Sequence, residues 1–569
     1  MSEYELGKWD LSELAKNPKS PSFKKQIKDL ENQAMKFEKI KSNLNSKMTS
    51  KQFKIILQQV EEISHKMSKI GGYASLAYSS DTQSDEATSL MTQMSKLGSE
   101  ISNKILFFDL WWKTKVDDKN AKRLMENTGE LKEYLAYKRL FAKYALSESE
   151  EKIINTLDVT GISALVKLYD KITNVYEYKM KIGNRTKTMT REELTNYVRS
   201  TNPKIRETAY KTILSKYEEN KGVIGEIYQN IVLNWKDEGI ELRGYKSPIS
   251  MRNIANDIDD KTIESLLSIC RKNSTVFQKF FLQKAKMLGM KKLQRYDLYA
   301  PAAAKIKEKN YSYEQSVRLV FESLGKFSST LEEYARKVFN ENHIDSSVRP
   351  GKRDGAFCST LTPKITPYVL VNFTGKSRDV FTLAHELGHA VHSQAAQNRS
   401  ILVQDAPLPL AETASTFSEL LLYDNLADKI SDDQKKIMLA EKIDDLYATI
   451  LRQSFFTIFE IDAHNQISKG TTIDEISKTY LQNLKEQFGN SVNLSDDFEN
   501  LIDRGMDLAF RVGELEDSSV VALKISSSRL IVCASPEYLK ENGTPQTPEA
   551  LKKYVCLVTS NNIIFTPHW

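Results

Sequence analysis

Apolar residues recur with helical spacing along most of the chain. From residue 22 to about 150 they lie three and four positions apart, as in 53–63 (FKIILQQVEEI), and glycine and proline are scarce. The same pattern continues over 190–240, where Thr201-Asn202-Pro203 is a helix start signal. Further helices are predicted at 259–288, 312–340 and 377–487. The pattern therefore predicts a mainly α-helical protein.

Two stretches depart from this helical pattern. Residues 349–373 are richer in Gly, Pro, Thr and Val, which predicts a short antiparallel sheet with a strand at Pro367–Phe373. After about residue 500, short β-rich runs alternate with Pro and Gly turns, which predicts an α/β fragment. We therefore expect three regions: a helical N-terminal lobe over 1–190, a mainly helical domain with the small sheet over 191–499, and a fragment over 500–569.

Composition narrows the classes of function. The 569 residues carry 81 basic and 75 acidic side chains, a net charge of +6 spread along the chain, which does not favour a nucleic-acid partner. The longest strongly apolar run, 105–112, is far too short to cross a bilayer. The first residues lack the basic lead and apolar core of a secretory signal. Four cysteines without a CxxC pair suit a reducing compartment, so we expect a cytoplasmic protein.

The pentapeptide at 385–389, HELGH, is the strongest chemical signal. Residues four apart share one face of a helix, so His385 and His389 can bind one metal ion. We expect Ser377 to cap the start of this helix. Catalytic zinc sites use three protein ligands and leave one position for water. Glu386 points elsewhere round the helix and is better placed to hold that water than to bind the metal.

The third zinc ligand must come from another segment. Residues 408–415 (LPLAETAS) predict a break followed by a new helix, with Glu412 in its first turns. We assign Glu412 to the zinc and expect Glu419, two turns later, to accept an N–H from a ligand histidine. A pattern with a third histidine is excluded, because it needs glycine at position 392 and histidine at 395, where the chain has His392 and Ala395. We expect His392 to pack in the interior or to support a metal ligand rather than to bind the metal itself.

The segment from Arg378 to Glu419, with AHELGHAVHS and LAETASTFSE, resembles oligoendopeptidase F of the thimet-oligopeptidase-type zinc metallopeptidases. The resemblance runs from near the N-terminus to about residue 495 and includes 144–151 (YALSESEE), 352–359 (KRDGAFCS) and 367–373 (PYVLVNF). It implies a two-lobed, helical, zincin-type body with a deep channel. It also implies cleavage of internal bonds in short peptides, with a substrate groove formed by Gly355, Ala356, Val371 and Asn372.

The expected reaction is therefore peptide-bond hydrolysis with one Zn²⁺ per chain. Zinc held by His385, His389 and Glu412 lowers the pKa of its bound water, and Glu386 takes the proton and passes it to the leaving amine. The strand around Val369–Phe373 is expected to pair with the extended substrate, since a peptide can add to an exposed sheet edge.

The residues from about 500 to 569 resemble a fragment of the effector-binding domain of LysR-type regulators, without the DNA-binding helix-turn-helix. In the oligoendopeptidase family this region is a tyrosine-rich helical stretch whose Tyr and His side chains hydrogen-bond the oxyanion. Tyr538, Tyr554 and His568 belong to the regulator-like segment and do not replace them. The alternative to an active peptidase is a catalytically impaired zinc- and peptide-binding protein, and a transcriptional regulator ranks below both. The sequence carries no signal for the oligomeric state.

Overall fold

The computed structural model describes residues 3–183, 185–301, 310–427, 429–494 and 536–545, together with residues 547 and 550. The chain divides into two compact units, Met1–Asp497 and Phe498–Trp569. In the second unit the described element is a short helix at Pro536–Asn542. The strands predicted after residue 500, together with Tyr554 and His568, lie outside the described residues, so the α/β fragment stays a prediction.

Helices make up most of the first unit, which confirms the mainly α fold. The chain begins with α1 (Pro21–Glu38), α2 (Ser50–Ser80), α3 (Asp85–Thr114), α4 (Asp118–Met125), α5 (Leu131–Arg139), α6 (Glu148–Asp158) and α7 (Ile162–Thr173). A hairpin follows, formed by β1 (Tyr178–Ile182) and β2 (Arg185–Met189). The next helices are α8 (Arg191–Val198), α9 (Pro203–Glu219), α10 (Lys221–Lys236), α11 (Pro248–Ala255), α12 (Asp260–Lys272) and α13 (Ser274–Met287).

The remainder of this unit combines short strands with helices. Its elements are β3 (Leu293–Gln294), α14 (Tyr313–Phe327), α15 (Ser329–Asn340), β4 (Ile344–Asp345), β5 (Phe357–Ser359), β6 (Tyr368–Leu370), α16 (Ser377–Ala395), α17 (Leu408–Ala427), α18 (Asp432–Leu446), α19 (Gln453–Ile467), α20 (Ile473–Phe488) and β7 (Val492–Asn493). A π-helical turn at Tyr447–Arg452 joins α18 to α19. Among the described residues, no helix combines the length and the apolar composition needed to cross a membrane.

Polar cap residues fix where these helices begin. Before α2, Thr49 Oγ1 accepts the N–H of Gln52 at 3.2 Å, and the Gln52 carboxamide oxygen accepts the N–H of Thr49 at 2.9 Å. The same reciprocal pair opens α20 at Thr472–Glu475. The predicted start of α9 is confirmed, because Asn202 Oδ1 accepts the N–H of Lys204 at 3.0 Å. Each such cap stabilises its helix by about 1 kcal/mol.

Two hydrophobic cores meet at strand β6. The first core lies among the N-terminal helices, where Phe53 stacks on Trp112 with ring centroids 5.0 Å apart. The second core lies among α14, α15, α16 and α17. Tyr368 and Leu370 belong to the first core and Val369 belongs to the second, because successive side chains of a strand point to opposite faces. Strand β6 therefore connects the N-terminal helices to the helices of the second core, which include α16 with the HELGH residues.

The small sheet has the strand order β4-β6-β5 and is mixed rather than antiparallel. Strand β4 is parallel to β6, with Ile344 opposite Val369, and β5 is antiparallel to β6, with Cys358 opposite Val369. The predicted antiparallel sheet is therefore wrong in one of its two pairings. The reason is that β4 precedes the stretch 349–373 from which the sheet was predicted, and a loop returns the chain to β6 in the same direction.

Candidate metal and active site

Helix α16 carries the HELGH residues and begins at Ser377, as predicted. Its start is held by Asp379 Oδ2, which accepts the N–H of Lys376 at 3.1 Å and the N–H of Thr374 at 2.7 Å. The predicted capping role of Ser377 is wrong, because Ser377 is already the first helical residue. The face that packs on the second core is fully buried and is formed by Val380, Leu383, Ala384 and Leu387.

Gly388 allows α17 to cross close to α16. A Cβ atom on Gly388 would lie 2.6 Å from Ser418 Oγ and 2.7 Å from both Ala414 O and Ser415 Cα. Two of these atoms belong to the backbone of α17, so a side chain at this position would have to push the helix away. The glycine therefore sets the separation at which the glutamates of α17 reach the histidines of α16.

The structure brings the three predicted zinc ligands together. His385 Nε2 lies 3.1 Å from Glu412 Oε2, and His389 Nε2 lies 3.5 Å from the same oxygen. One ligand atom from each of the three residues lies within 4.8 Å of the other two. Ser415 Oγ donates a hydrogen bond to Glu412 Oε2 at 2.8 Å and so orients the carboxylate. The predicted helix that carries Glu412 in its first turns is α17.

The chemistry of this donor set fits a zinc ion. Two imidazole nitrogens and one carboxylate oxygen are the donor types of catalytic zinc sites, which keep a fourth position open. Here three electron-pair donors converge on one point, an arrangement that is favourable only around a cation or a proton. The Glu412 side chain is 59% exposed, whereas the two histidines are 26% and 22% exposed, so the site is reached from the Glu412 side.

Glu419 holds the His385 ring through its Nδ1 atom. His385 Nδ1 donates to Glu419 Oε1 at 2.7 Å, and Lys442 Nζ donates to Glu419 Oε2 at 3.2 Å. Burial raises the pKa of Glu419, but the two donors outweigh burial and hold the pKa below its usual value. Burial likewise lowers the pKa of His385, but the Glu419 hydrogen bond and the nearby carboxylates raise it overall. With the proton on Nδ1, the Nε2 lone pair of His385 is left to face Glu412.

Glu386 lies beside His385 and is only 6% exposed. Burial raises the pKa of Glu386 to about 7, and the charges of Glu412 and Glu419 add to this effect while His385 opposes it. A carboxyl group that titrates near neutral pH can take up and release a proton under physiological conditions. Burial and the Glu386 charge also raise the pKa of the Cys358 thiol and keep the thiol neutral. Strand β5, which carries Cys358, packs against α16.

Three of the predicted groove residues lie in or beside one loop. Gly355 is exposed and has a φ of +79°, a conformation that favours glycine. Asn372 Nδ2 donates to the carbonyl oxygens of Arg353 at 3.1 Å and of Gly355 at 2.9 Å, so it holds this loop in place. Ala356 is half-buried and leads directly into β5.

Strand β6 and Val371 lie inside the sheet rather than at its edge. Strand β6 has β4 on one side and β5 on the other. The N–H of Val371 donates to Asp345 O at 2.9 Å, and its carbonyl accepts from Lys352 Nζ at 2.7 Å. We expected Val369–Phe373 to pair with substrate and Val371 to be a groove residue. This expectation is wrong, because these backbone groups already have partners within the protein. The sheet edge beside Glu386 is β5.

Sequence reasoning missed Ser415, Lys442 and the role of β5 as an edge strand. Ser415 follows Glu412 by three residues on one helix, a spacing that could have identified it. Lys442 comes from α18 and carries no local signal, because its contact with Glu419 depends on how two helices pack. Within the described residues, His392 is half-buried and lies outside the ligand cluster, as expected.

Comparisons with known proteins agree with this fold. The family model for peptidase family M3 matches residues 196–502. An oligoendopeptidase F homolog of Borreliella burgdorferi is 29% identical over 505 residues, which cover 86% of this chain and 83% of that protein. The crystal structure of oligoendopeptidase-F from Enterococcus faecium aligns with a TM-score of 0.61 at 19% identity and covers 83% of this chain and 80% of that one, which shows a shared fold.

The family match over more than half of the chain defines the class of protein. The protein is a peptidase, a hydrolase of peptide bonds. It belongs to peptidase family M3, a family of metallopeptidases, and is similar to the oligoendopeptidase F homologs.

The end of the chain matches a different family. The model for the LysR substrate binding domain matches residues 490–569. The HTH-type transcriptional regulator CrgA of Neisseria meningitidis is 49% identical over 63 residues, which cover 11% of this chain and 21% of that protein. The predicted resemblance of the C-terminal residues to a fragment of a LysR-type regulator is therefore confirmed.

Proposed function

We propose that this chain is a cytoplasmic, zinc-dependent endopeptidase that hydrolyses internal bonds of short peptides and holds one catalytic Zn²⁺. The observation that carries the proposal is the convergence of His385, His389 and Glu412 beside the buried carboxyl of Glu386. When bound, zinc would supply a Lewis acid for the scissile carbonyl and for the attacking water. The family match and the names of the oligoendopeptidase relatives support this assignment.

Glu386 is the proposed general base. Its carboxylate takes a proton from the attacking water and delivers that proton to the leaving amine, for which a pKa of about 7 is well matched. Glu419 and Lys442 are positioning residues, because Glu419 contacts His385 and Lys442 contacts Glu419. They fix the ring so that Nε2, and not Nδ1, faces Glu412.

The substrate is proposed to bind along the exposed edge of β5. Phe357, Cys358 and Ser359 are half-buried, and in the described part of the chain β5 pairs with β6 alone. An extended peptide can add to such an edge through main-chain hydrogen bonds. Because β5 packs against α16, a peptide on this edge would pass close to the helix that carries Glu386, with Gly355 and Ala356 at one end. We further propose that 1–190 form the N-terminal lobe and 191–499 the catalytic domain, since the family match begins at residue 196.

A second candidate is a zinc- and peptide-binding protein with impaired catalysis. It is favoured by one observation: the M3 match ends at residue 502, and the LysR match occupies 490–569. If the usual oxyanion donors are missing, each absent donor costs on the order of 100- to 1000-fold in rate.

Cleavage of a quenched fluorescent peptide tests both candidates. The wild-type protein loaded with zinc is expected to cleave inside the peptide, and Glu386→Gln is expected to lower the rate about 100- to 10,000-fold. The exposed Glu333→Gln change on α15 is the matched control and should leave the rate unchanged. Peptide binding by fluorescence anisotropy without any cleavage would favour the second candidate. Absence of stoichiometric zinc would contradict both.

A further inference from the structure

A second group of metal-ligand side chains lies outside the catalytic site. Glu13, Glu341 and His343 each offer one ligand atom, and these atoms lie within 4.8 Å of one another. Glu13 belongs to the segment before α1, Glu341 follows α15, and His343 immediately precedes β4. His343 Nε2 lies 3.3 Å from Glu13 Oε2, and His343 Nδ1 lies 3.9 Å from Glu341 Oε2.

The hydrogen bonding of His343 leaves one ring nitrogen with a free lone pair. His343 is 2% exposed, and its Nδ1 lies 2.9 Å from the carbonyl oxygen of Thr366. A carbonyl oxygen only accepts, so Nδ1 carries the proton, and in the neutral imidazole Nε2 carries the lone pair. Burial also lowers the pKa of His343. A nitrogen lone pair therefore faces the carboxylate oxygen of Glu13, and two acceptors this close need a proton or a cation between them.

A residue with a buried, unpartnered hydroxyl group packs directly on His343. Tyr368 is 0% exposed and stacks on His343 with ring centroids 3.9 Å apart. Among the described residues, none forms a hydrogen bond with Tyr368 Oη. Burial raises the pKa of Tyr368, and the charges of Glu13, Asp10 and Glu341 raise it further. The ring that stacks on the imidazole thus carries a buried hydroxyl without a hydrogen-bond partner among the described residues.

Basic side chains balance the charge of this group only in part. Lys337 Nζ lies 3.8 Å from Glu341 Oε1, the oxygen that does not face His343. Among the described residues, no other lysine or arginine forms an ion pair with Glu13 or Glu341. The negative charge on this group therefore favours a divalent cation, and nitrogen with carboxylate donors suits zinc or a similar first-row metal.

We propose that Glu13, Glu341 and His343 form a second zinc-class metal site, which ties the segment before α1 to the turn between α15 and β4. The site has one nitrogen donor where the catalytic site has two, so it fills after the catalytic site in a titration. It does not depend on the proposed peptidase mechanism.

Equilibrium dialysis against Zn²⁺, followed by elemental analysis of the full chain, tests the proposal. The wild-type protein is expected to hold two zinc ions per chain, and His389→Ala, in the catalytic site, is expected to hold one. The double variant Glu13→Gln/Glu341→Gln changes two partly exposed side chains and should fold normally, and it is also expected to hold one. Glu333→Gln on α15, the matched control, should hold two. His389→Ala removes the catalytic site alone, and the double variant removes the second site alone. The zinc contents of these variants therefore show which of the two sites fails to bind zinc.

A second measurement separates specific binding from loose surface binding. Adding zinc to protein that already holds its first equivalent should raise the thermal unfolding midpoint of the wild type, because the bound ion stabilises only the folded state. The same addition should not change the midpoint of the double variant. A double variant that holds as many zinc ions as the wild type, with an unchanged shift of the unfolding midpoint, would overturn the proposal.

Discussion

At the scale of single residues, the candidate site depends on a chain of contacts that starts well away from the metal ligands. Lys442 Nζ holds Glu419 Oε2 at 3.2 Å, and Glu419 Oε1 in turn receives the Nδ1 proton of His385 at 2.7 Å. Lys442 and Glu419 are 17% and 18% exposed, so water screens this pair only in part. Loss of the ammonium group should leave Glu419 less firmly fixed and His385 less well oriented.

We therefore expect Lys442→Met to weaken zinc binding by about 10-fold, and Glu419→Ala to weaken it by about 10- to 100-fold. Competition with a chromogenic chelator measures both affinities. Lys435→Met is the control, because Lys435 lies on the same helix but is 48% exposed and faces Asp432 instead. Equal zinc affinity for Lys442→Met and the control would show that Lys442 does not position the site.

A second residue-scale prediction concerns Asp354, in the loop that carries Gly355. Burial raises the pKa of Asp354 to about 6, the charge of Glu192 adds to this, and Arg191 opposes it. The folded protein therefore holds this proton more tightly than the unfolded chain does. The stability that the protonated carboxyl contributes is complete below the usual pKa of 3.8 and is lost as the pH rises through about 6.

Asp354→Asn should remove this part of the pH dependence. Urea unfolding at about pH 4.5 and about pH 7 is expected to show a smaller loss of unfolding free energy in the variant than in the wild type. The exposed Asp29→Asn change serves as the control and should follow the wild type. If Asp354→Asn also followed the wild type, burial of this carboxyl would have no energetic effect.

At the scale of elements, the crossing of α16 and α17 is the decisive contact. The absence of a side chain at Gly388 lets the backbone of α17 approach, since an added Cβ would lie 2.7 Å from Ala414 O. Gly388→Ala is expected to destabilise the protein by about 1–3 kcal/mol through overpacking and to reduce zinc binding, because the helix with Glu412 must move away.

Gly98→Ala in the middle of α3 is a matched control for that change. A Cβ on Gly98 meets no atom within 4 Å, so the alanine should raise stability by about 0.5–1 kcal/mol through helix propensity. Thermal unfolding and zinc titration of both variants measure the difference. Unchanged zinc affinity in Gly388→Ala would mean that the helix separation does not control the site.

The elements also show which features a sequence can reveal. The spacing of His385 and His389 is a local property of one helix, and the S/T-x-x-E/Q caps are local as well, so both were predictable. The pairing of Ile344 with Val369 is not local, because it depends on how α15 and the following loop return the chain to the sheet. For the same reason the family resemblance implied groove residues within 352–359 but did not indicate that β5 is the edge strand, and nothing in the sequence pointed to Lys442.

At the scale of the whole molecule, the ligands and their supports belong to one compact unit. His385, Glu412, Glu419 and Lys442 all lie within Met1–Asp497. The two hydrophobic cores that position them meet at β6, whose alternate side chains enter both. The LysR match, in contrast, occupies 490–569. Zinc binding and the approach of peptide to β5 should therefore be properties of the first unit.

Removal of residues 498–569 tests whether zinc binding and peptide cleavage are properties of the first unit alone. We expect the shortened chain to hold the same number of zinc ions as the full chain and to cleave the fluorescent peptide with the same kcat/KM. The reason is that every group assigned to zinc, to the proton and to the β5 edge is retained. A fall in kcat with unchanged zinc binding would instead mean that turnover depends on residues 498–569. The truncation thus distinguishes a self-sufficient catalytic unit from one that depends on the regulator-like segment.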